Sequence, residues 1–288
     1  MRQPTLDIGH INSLMLSPLS FDQMPQAAPS FRRALPVDYR ALPRVSNSDL
    51  TRLKEEQLGA LPSARWATDR TRAFGKAFHQ HLLEPESVAT VLEQLLPDLA
   101  NERLTTTEQV KLDGLMKTVQ RDSFCRRYLR QADRWGSQQE RLFTGLDEAQ
   151  PQTGQSERER VVLFTDPTTQ QPCKARLDLV YTSPKRQNAL ILDFKTTSAR
   201  TQAQFLQSCY DYDYDRQVAF YLDSLRYADN DEWGTTKRFR FVLVGVVKQS
   251  PHRLFAVDAT SIPGFVDYGR KKYRFWLRKW QESSGLMD

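Results

Sequence analysis

The sequence is poor in cysteine, and its three cysteines are scattered at Cys125, Cys173 and Cys209. An odd number without any Cys-x-x-Cys pair excludes a readable disulfide framework or tetrahedral zinc site. Three cysteines are also too few for a four-cysteine iron–sulfur cluster built from this chain alone. Long apolar runs are missing as well, so we expect no membrane-spanning helix. The N-terminus lacks the basic start and apolar core of a signal peptide, and we therefore expect a cytoplasmic protein.

The bulk composition is that of an ordinary globular protein of 288 residues, with 39% hydrophobic and 26% charged residues. The net charge of +6 and the pI near 9.2 are compatible with a polyanionic partner but do not require one. Residues 1 to 45 are rich in proline and weakly periodic, which predicts an extended or disordered arm. We expect a single domain over residues 46–288, helical over 46–135 and containing a sheet with further helices over 136–288.

Capping residues and apolar periodicity predict the secondary structure. Helices are expected from the capping residues Ser46 to Leu50, over Ala67–Leu83 and Ser87–Leu96, from the capping box Thr105 to Glu108 onward, and over Ala199–Ser208, Asp215–Tyr227 and Gly269–Trp280. Strands are expected over Arg141–Thr144, Arg160–Thr165, Cys173–Tyr181, Ala189–Lys195, Phe239–Val247 and Arg253–Val257. This order predicts an α/β or α+β fold, a central mixed β-sheet flanked by helices. The third and fourth of these strands should pair antiparallel.

An acid and a lysine end the most apolar strand, in Leu192-Asp-Phe-Lys195, and a second acid, Asp178, lies on the preceding strand. Because side chains alternate along a strand, Asp193 and Lys195 should face the same way. Two carboxylates suit a hard cation such as Mg²⁺, and the carbonyl of Phe194 offers a further oxygen ligand. Lys195 would orient or deprotonate a water, or neutralise charge in the transition state. The pattern indicates metal-dependent phosphodiester cleavage, although Asp-x-Lys alone also fits an ordinary solvated strand end.

Three further features favour that chemistry. Gln217 and Tyr221 are four residues apart on a predicted helix, so they share a face that could reach the phosphate or brace Lys195. A neutral imidazole from the helix carrying His79 and His81 could complete the metal site. Gly75 in that helix suggests a close approach of another backbone or of DNA. Each feature taken singly also has a purely structural interpretation.

These residues, in this order, resemble the PD-(D/E)XK nuclease superfamily, and within it the RecB-like branch and the RecE-like exonucleases of phage recombination. The resemblance runs from about Ser46 to the C-terminus. It rests on four motifs: Gly75-Lys-Ala-Phe-His79 with Leu82-Leu-Glu-Pro85, Cys173 to Asp178, Leu192 to Thr197, and Gln217-Val-Ala-Phe-Tyr221. Leu177 stands where the superfamily name has proline, and Asp193 where many members have glutamate; both are usual in this branch.

The resemblance assigns roles to these positions. His79, Asp178 and Asp193 would bind the metal, Lys195 would serve catalysis, and Gln217 with Tyr221 would support the site. A restriction-endonuclease-like core is implied, with Mg²⁺ as cofactor and Mn²⁺ as a substitute. Many relatives add an upstream glutamate, for which Glu140, Glu157 and Glu159 compete; Glu159 is preferred but stays outside the core set.

The resemblance also implies an activity and partners. It implies digestion of duplex DNA from free ends in recombination or repair, a single-stranded 3′ tail handed to a single-strand annealing protein, and a ring-like homo-oligomer. An endonuclease or single-strand nuclease of a defence system, or an inert DNA-binding module, stays open as an alternative.

Two basic helices are candidates for phosphate contacts, because neutralising phosphates provides most non-specific DNA affinity. The candidates are Arg121, Arg126, Arg127, Arg130 and Arg134, and, near the C-terminus, Arg270, Lys271, Lys272, Arg274, Arg278 and Lys279. The aromatic residues of the last helix, Tyr273, Phe275, Trp276 and Trp280, would stack on frayed bases or pack that helix onto the sheet.

Overall fold

The computed structural model describes residues 39–58, 69–85, 104–142, 154–184, 187–229 and 238–285. The chain divides into two units, residues 1–42 and 43–288. Of the first unit, only residues 39–42 are described, and they form a turn. Most of the arm expected over residues 1–45, and the helix expected over Ser87–Leu96, therefore lie outside the described residues. Everything below concerns the second unit.

Four helices precede the sheet: α1 (Asn47–Gln57), α2 (Asp69–Leu83), α3 (Thr106–Arg121) and α4 (Ser123–Leu142). The capping boxes predicted from sequence are present, since Ser46 and Asp49 close the start of α1, and Thr105 and Glu108 that of α3. Asp122 has an extended backbone and separates α3 from α4. The sequence had instead predicted that the helix opening at Thr105 would extend through the basic segment from Arg121 to Arg134. None of the helices in the described ranges combines the length and apolarity needed to cross a bilayer.

The strand expected over Arg141–Thr144 is wrong where it can be checked. Arg141 and Leu142 are the last residues of α4, and residues 143 and 144 lie outside the described part. The apolar positions Cys125 and Leu129 are buried one turn apart, so the helical period established early in α4 continues without a cap or proline to end it.

The sheet has five strands in the described ranges, in the spatial order of the sequence: β1 (Gln155–Thr165), β2 (Pro172–Thr182), β3 (Asn188–Thr197), β4 (Arg238–Val247) and β5 (Leu254–Asp258). All neighbouring pairs are antiparallel except β3 with β4, which is parallel. The parallel pair is joined by α5 (Gln202–Asp211) and α6 (Tyr214–Arg226), and α7 (Phe265–Ser283) follows β5. The expected central mixed sheet and the antiparallel pairing of β2 with β3 are confirmed.

Each face of the sheet carries its own apolar core, and strand alternation assigns β3 residues to both. Ala189 and Ile191 pack with residues of α5, α6 and α7 on one face. Leu190, Leu192 and Phe194 pack with residues of α2, α3 and α4 on the other. Both faces are therefore covered by helices, which explains why β3 reads as a continuous apolar run. It also puts the ends of α2 and α6 on opposite sides of the same strand.

Regular pairing is interrupted in the middle of the sheet. The β2–β3 ladder ends at the pair Leu179–Leu192, and the same register would place Asp178 opposite Asp193. The β1–β2 ladder omits the pair of Glu159 with Asp178, and Glu159 has a positive φ of 48°. A left-handed residue inside a strand redirects the side chains around it. The side chains of Glu159 and Asp178 therefore need not follow the alternation between sheet faces that the other residues of β1 and β2 follow.

Candidate active site

Asp193 and Lys195 lie near the end of β3 and form an ion pair on one side of the strand. The distance from Asp193 Oδ2 to Lys195 Nζ is 2.6 Å, and the side chain of Asp193 is fully buried. Phe194 between them packs into the core of the opposite face, as strand alternation predicts. The ammonium is therefore held at the carboxylate by the geometry of the strand itself.

Asp178 lies on β2 at the point where the ladder to β3 stops. Its Oδ2 accepts a hydrogen bond of 2.8 Å from the backbone N–H of Phe194. A side-chain carboxylate thus replaces a backbone carbonyl as the partner of β3, and that replacement fixes the carboxylate between the two strands. The structure brings Asp178, Asp193 and Lys195 into one cluster, as the sequence predicted.

His79 reaches this cluster from α2. Its Nδ1 lies 3.3 Å from Asp178 Oδ2, and the ring also hydrogen-bonds to the backbone of Phe194. Burial and the charge of Lys195 lower the pKa of His79 to about 4, so the ring is neutral at physiological pH and able to act as a ligand. His81 instead contacts the carbonyl of Ala77 at 2.8 Å. His79, rather than His81, is therefore the histidine whose imidazole reaches the cluster.

Glu159 is the upstream glutamate that the fold brings to the cluster. One ligand atom each from His79, Glu159 and Asp178 lie within 4.8 Å of one another. Arg176 Nε contacts Glu159 Oε2 at 2.8 Å and orients it. Glu157 pairs with Arg160 at 2.5 Å, and the side chain of Glu140 lies outside the described part of the chain. Glu159 was the preferred candidate from the sequence, but its positive φ, at the point where its side chain joins the cluster, could not be predicted.

The carboxyl groups of the cluster are buried close to one another, which disfavours their ionised forms. Burial and the charge of Asp178 together raise the pKa of Asp193 to about 6, although Lys195 opposes them. Burial also raises the pKa of Asp178. The pKa of Glu159 rises to about 8, through burial and the charge of Asp178. Buried carboxylates held together in this way fit a divalent cation, which would compensate their charge, and an oxygen-rich set with one imidazole suits Mg²⁺ or Mn²⁺.

Lys195 stays protonated in this setting. Burial alone would lower its pKa, but the charges of Asp193 and Asp178 outweigh burial and raise the pKa above its usual value. The ammonium also lies 5.0 Å from the centre of the Tyr214 ring, a cation–π contact that sequence reasoning missed. Burial raises the pKa of Tyr214 to about 12. As the structure stands, the geometry supports a positive charge at Lys195 rather than a general base.

Gln217 and Tyr221 approach the cluster from α6. Gln217 Nε2 donates to Asp193 Oδ1 at 3.2 Å, so Gln217 braces Asp193 rather than Lys195. Tyr221 hydrogen-bonds to Gln217. Both side chains also line a cleft of about 440 Å³, whose other walls are residues of α1 and Arg72 of α2. The cleft therefore adjoins the cluster through Gln217 and Tyr221, while Asp178, Asp193 and Lys195 are not among its lining residues.

Gly75 does not mark a close approach of protein backbone. A Cβ built there would meet Thr196 Oγ1 at 3.7 Å, which is an ordinary contact. The expected close approach of another backbone is therefore wrong for the described residues, and a close approach of DNA stays a prediction.

The cations of the last helix are mostly engaged within the protein. Arg270 donates two hydrogen bonds to the buried carboxylate of Asp223, at 2.7 and 2.9 Å. Lys272 lies 2.9 Å from both Asp213 and Asp215, and pairs also hold the remaining members Arg274 and Lys279. The pairs of Arg270, Lys272 and Arg274 with buried carboxylates anchor α7, so these three side chains are structural rather than free for phosphates. Lys279 instead pairs with Glu282 of the same helix.

The exposed cations of the sequence prediction lie elsewhere. Lys271 and Arg278 of α7, and Arg121, Arg126, Arg127 and Arg130 of α3 and α4, are exposed. The side chain of Arg134 lies outside the described part. Tyr273 and Trp276 pack in the core, Trp280 packs partly against it, and Phe275 is 46% exposed. Three of the four aromatic residues named from the sequence thus pack α7 onto the core, while Phe275 is exposed, as is Tyr268 of the same helix at 57%.

Comparisons with known proteins concern the family and the fold of this chain. Residues 51–282 match the family model described as a PDDEXK-like domain of unknown function (DUF3799). The crystal structure of a candidate exonuclease from Eubacterium rectale aligns with a TM-score of 0.51 at 13% identity, covering 87% of this chain and 86% of that one. At that identity it shows a shared fold alone. The structure of SSO0001 aligns over 81% of this chain and 84% of that one at 10% identity, with a TM-score of 0.27 that supports nothing further. No curated protein matches the sequence.

Proposed function

Because the chain belongs to the PDDEXK-like family DUF3799, and so to the PD-(D/E)XK nuclease superfamily, we propose that it is a metal-dependent deoxyribonuclease. Its preferred action is removal of nucleotides from the ends of duplex DNA. The observation that carries the proposal is the convergence of Asp178, Asp193 and Lys195 from two strands, next to a cleft lined by Gln217 and Tyr221. The motif order that resembles RecE-like exonucleases favours ends over internal positions.

His79, Asp178 and Asp193 would hold the metal together with Glu159, whose ligand atom lies within 4.8 Å of those of His79 and Asp178. A bound Mg²⁺ or Mn²⁺ acidifies a water and polarises the phosphate that this water attacks. The chain's own residues do the rest. Lys195 holds a proton and a positive charge where negative charge develops on the phosphoryl oxygens. Gln217 fixes the rotamer of Asp193 by donating to its Oδ1.

The surrounding side chains keep the cluster ordered. Arg176 holds Glu159 in place through their 2.8 Å contact. Tyr214 covers Lys195 and limits the directions in which the ammonium can move. Such support matters because a displacement of about 1 Å can cost about a hundredfold in rate.

The resemblance also supports a cellular setting. We propose that the product is a single-stranded tail for recombination or repair, that a single-strand annealing protein receives it, and that the enzyme works as a homo-oligomer. We further propose that residues 46–288 form one nuclease domain preceded by the arm of residues 1–45.

The test compares four DNA substrates in Mg²⁺ and in EDTA: end-labelled linear duplex, closed circular duplex, nicked circles and single strands. The proposal predicts loss of linear duplex in Mg²⁺ only, and no loss with Asp193→Asn, which keeps the shape of the side chain. Cleavage of closed circles would replace the exonuclease assignment by an endonuclease. Binding without cleavage in Mg²⁺ or Mn²⁺ would indicate an inert module and overturn the proposal.

A further inference from the structure

A second cleft, of about 710 Å³, lies between α3 and the turn that joins β4 to β5. It is larger than the cleft beside Gln217 and has a separate lining. Three lysines line it, Lys111 and Lys117 from α3 and Lys248 from the turn. Asp113 is the single carboxylate among its lining residues.

The three lysines leave this cleft positively charged. Within the described ranges, no ion pair joins a carboxylate to Lys111, Lys117 or Lys248, in contrast to the paired cations of α7. Lys248 is half-buried, and burial together with the charge of Lys111 lowers its pKa. Like charges brought together without a counter-charge repel each other, and a bound anion would relieve that repulsion.

The walls of the cleft are held in place by a close contact. His252 Nδ1 lies 3.0 Å from the carbonyl of Val247, which fixes the ring within the turn. The ring then lies against Gly114, where a Cβ would come within 2.4 Å of His252 Nε2. Only glycine allows α3 and the turn to approach this closely. The spacing of the lysines is therefore set by packed structure and not by a loose loop.

The cleft adjoins the end of β3 through Lys248 of the turn. The backbone N–H of Lys248 donates to the carbonyl of Thr197 at 2.9 Å, immediately beyond the last pair of the β3–β4 ladder. In that register Lys248 lies five strand positions beyond the level of Asp193. Five positions span roughly 16 Å at about 3.3 Å per residue, which corresponds to about five nucleotides at 3.4 Å axial spacing.

The same charge extends along α3. Gly114, Lys117 and Arg121 follow one another at spacings of three and four residues and so share a face. Arg121 is exposed at the end of that face. Lys117 and Arg121 on one face of α3, together with Lys248 across the cleft, fit an extended polyanion better than a small compact anion.

We propose that this cleft binds backbone phosphates of the nucleic-acid strand several nucleotides away from the phosphate being cleaved. The proposal rests on the proposed nuclease function, which supplies the strand, and it adds a binding site separate from the catalytic cluster. Its lysines would set affinity and the length of strand engaged, while taking no part in the chemistry.

The test measures binding of labelled duplex DNA in EDTA, where metal-dependent cleavage is absent, over a series of KCl concentrations. The variant Lys117→Gln/Lys248→Gln is compared with Lys271→Gln/Arg278→Gln, which removes the same charge from exposed positions of α7. Each lost phosphate contact should reduce the slope of log affinity against log salt by about 0.9. We expect a reduction of about 1.8 for the cleft variant and a much smaller one for the control.

Two results would overturn the proposal that this cleft binds phosphates. They are an unchanged slope in Lys117→Gln/Lys248→Gln, and an equal reduction in both variants, which would mean that only net charge matters. Thermal melting of both variants verifies that they fold. Because the assay needs no turnover, failure of the wild-type chain to cleave DNA would overturn the nuclease assignment alone, and normal cleavage with an unchanged slope would overturn the cleft alone.

Discussion

Replacing Gly269 by alanine tests the close packing of α7 against α6, the helix that carries Gln217. Gly269 is buried in α7, where that helix crosses α6. A Cβ at this position would lie 1.9 Å from the backbone oxygen of Asp215 and 2.9 Å from the nitrogen of Arg216. Both atoms belong to backbone, so no side-chain rotation can relieve the overlap. The two helices would have to separate by roughly 1.5 Å to restore an ordinary contact.

The expected magnitude follows from two opposing terms. Overpacking against rigid backbone costs about 3 kcal/mol, the upper part of the usual range. Alanine regains about 1 kcal/mol of helix propensity over glycine. The net expectation for Gly269→Ala is a loss of about 2 kcal/mol in the free energy of unfolding. Moving α6 also moves Gln217 away from Asp193, so turnover should fall by more than the unfolded fraction explains.

Urea denaturation followed by circular dichroism measures the stability, and degradation of linear duplex measures the turnover. Gly75→Ala is the matched control, since it changes the same residue type in a helix but meets only Thr196 at an ordinary 3.7 Å. We expect the control to gain up to about 1 kcal/mol. Wild-type stability in Gly269→Ala, or an equal loss in both variants, would refute the close approach of α6 and α7.

Three further predictions concern the site and the charge network around it. Lys195→Ala should abolish turnover while leaving DNA affinity in EDTA largely intact, and it should lower thermal stability because the buried carboxylate of Asp193 loses its ion-pair partner; cleavage at the wild-type rate would reject Lys195 as a catalytic residue. His79→Ala should raise the Mn²⁺ or Mg²⁺ concentration needed for half-maximal activity at least tenfold, and an unchanged metal titration would remove His79 from the ligand set. Hydrogen bonds from Lys54 and Lys272 lower the pKa of Asp213 although burial opposes them, so the ionised carboxylate stabilises the fold above the unfolded pKa of about 3.9. Asp213→Asn should therefore cost about 2 kcal/mol at pH 7, with the difference from wild type disappearing as pH falls below about 4; a constant difference across pH would contradict this.

Local chemistry in the sequence was enough to predict most elements and the central residues of the site. The capping boxes at Ser46 and Thr105 and the apolar run before Asp193 depend on neighbours within four residues, so they can be read without a fold. The alternation of β3 placed Asp193 and Lys195 on one side for the same reason. The end of α4 was misread because a helix and a strand share the short apolar signal around Leu142, and only continuation of the helix from Ser123 decides between them.

Contacts between residues far apart in sequence were decided only by tertiary structure. Glu159 enters the cluster through a positive φ that its residue type does not announce, and Asp178 is fixed by the backbone of Phe194, sixteen residues away. Arg270 and Lys272 of α7 looked available for phosphates, yet Asp223, Asp213 and Asp215 of the neighbouring chain segment neutralise them. The sequence by itself determined which groups could carry the chemistry, because functional groups and strand period are local properties. Tertiary structure decided which of those groups meet and which cations are neutralised, because ion pairing and burial depend on distances that the order of residues does not contain.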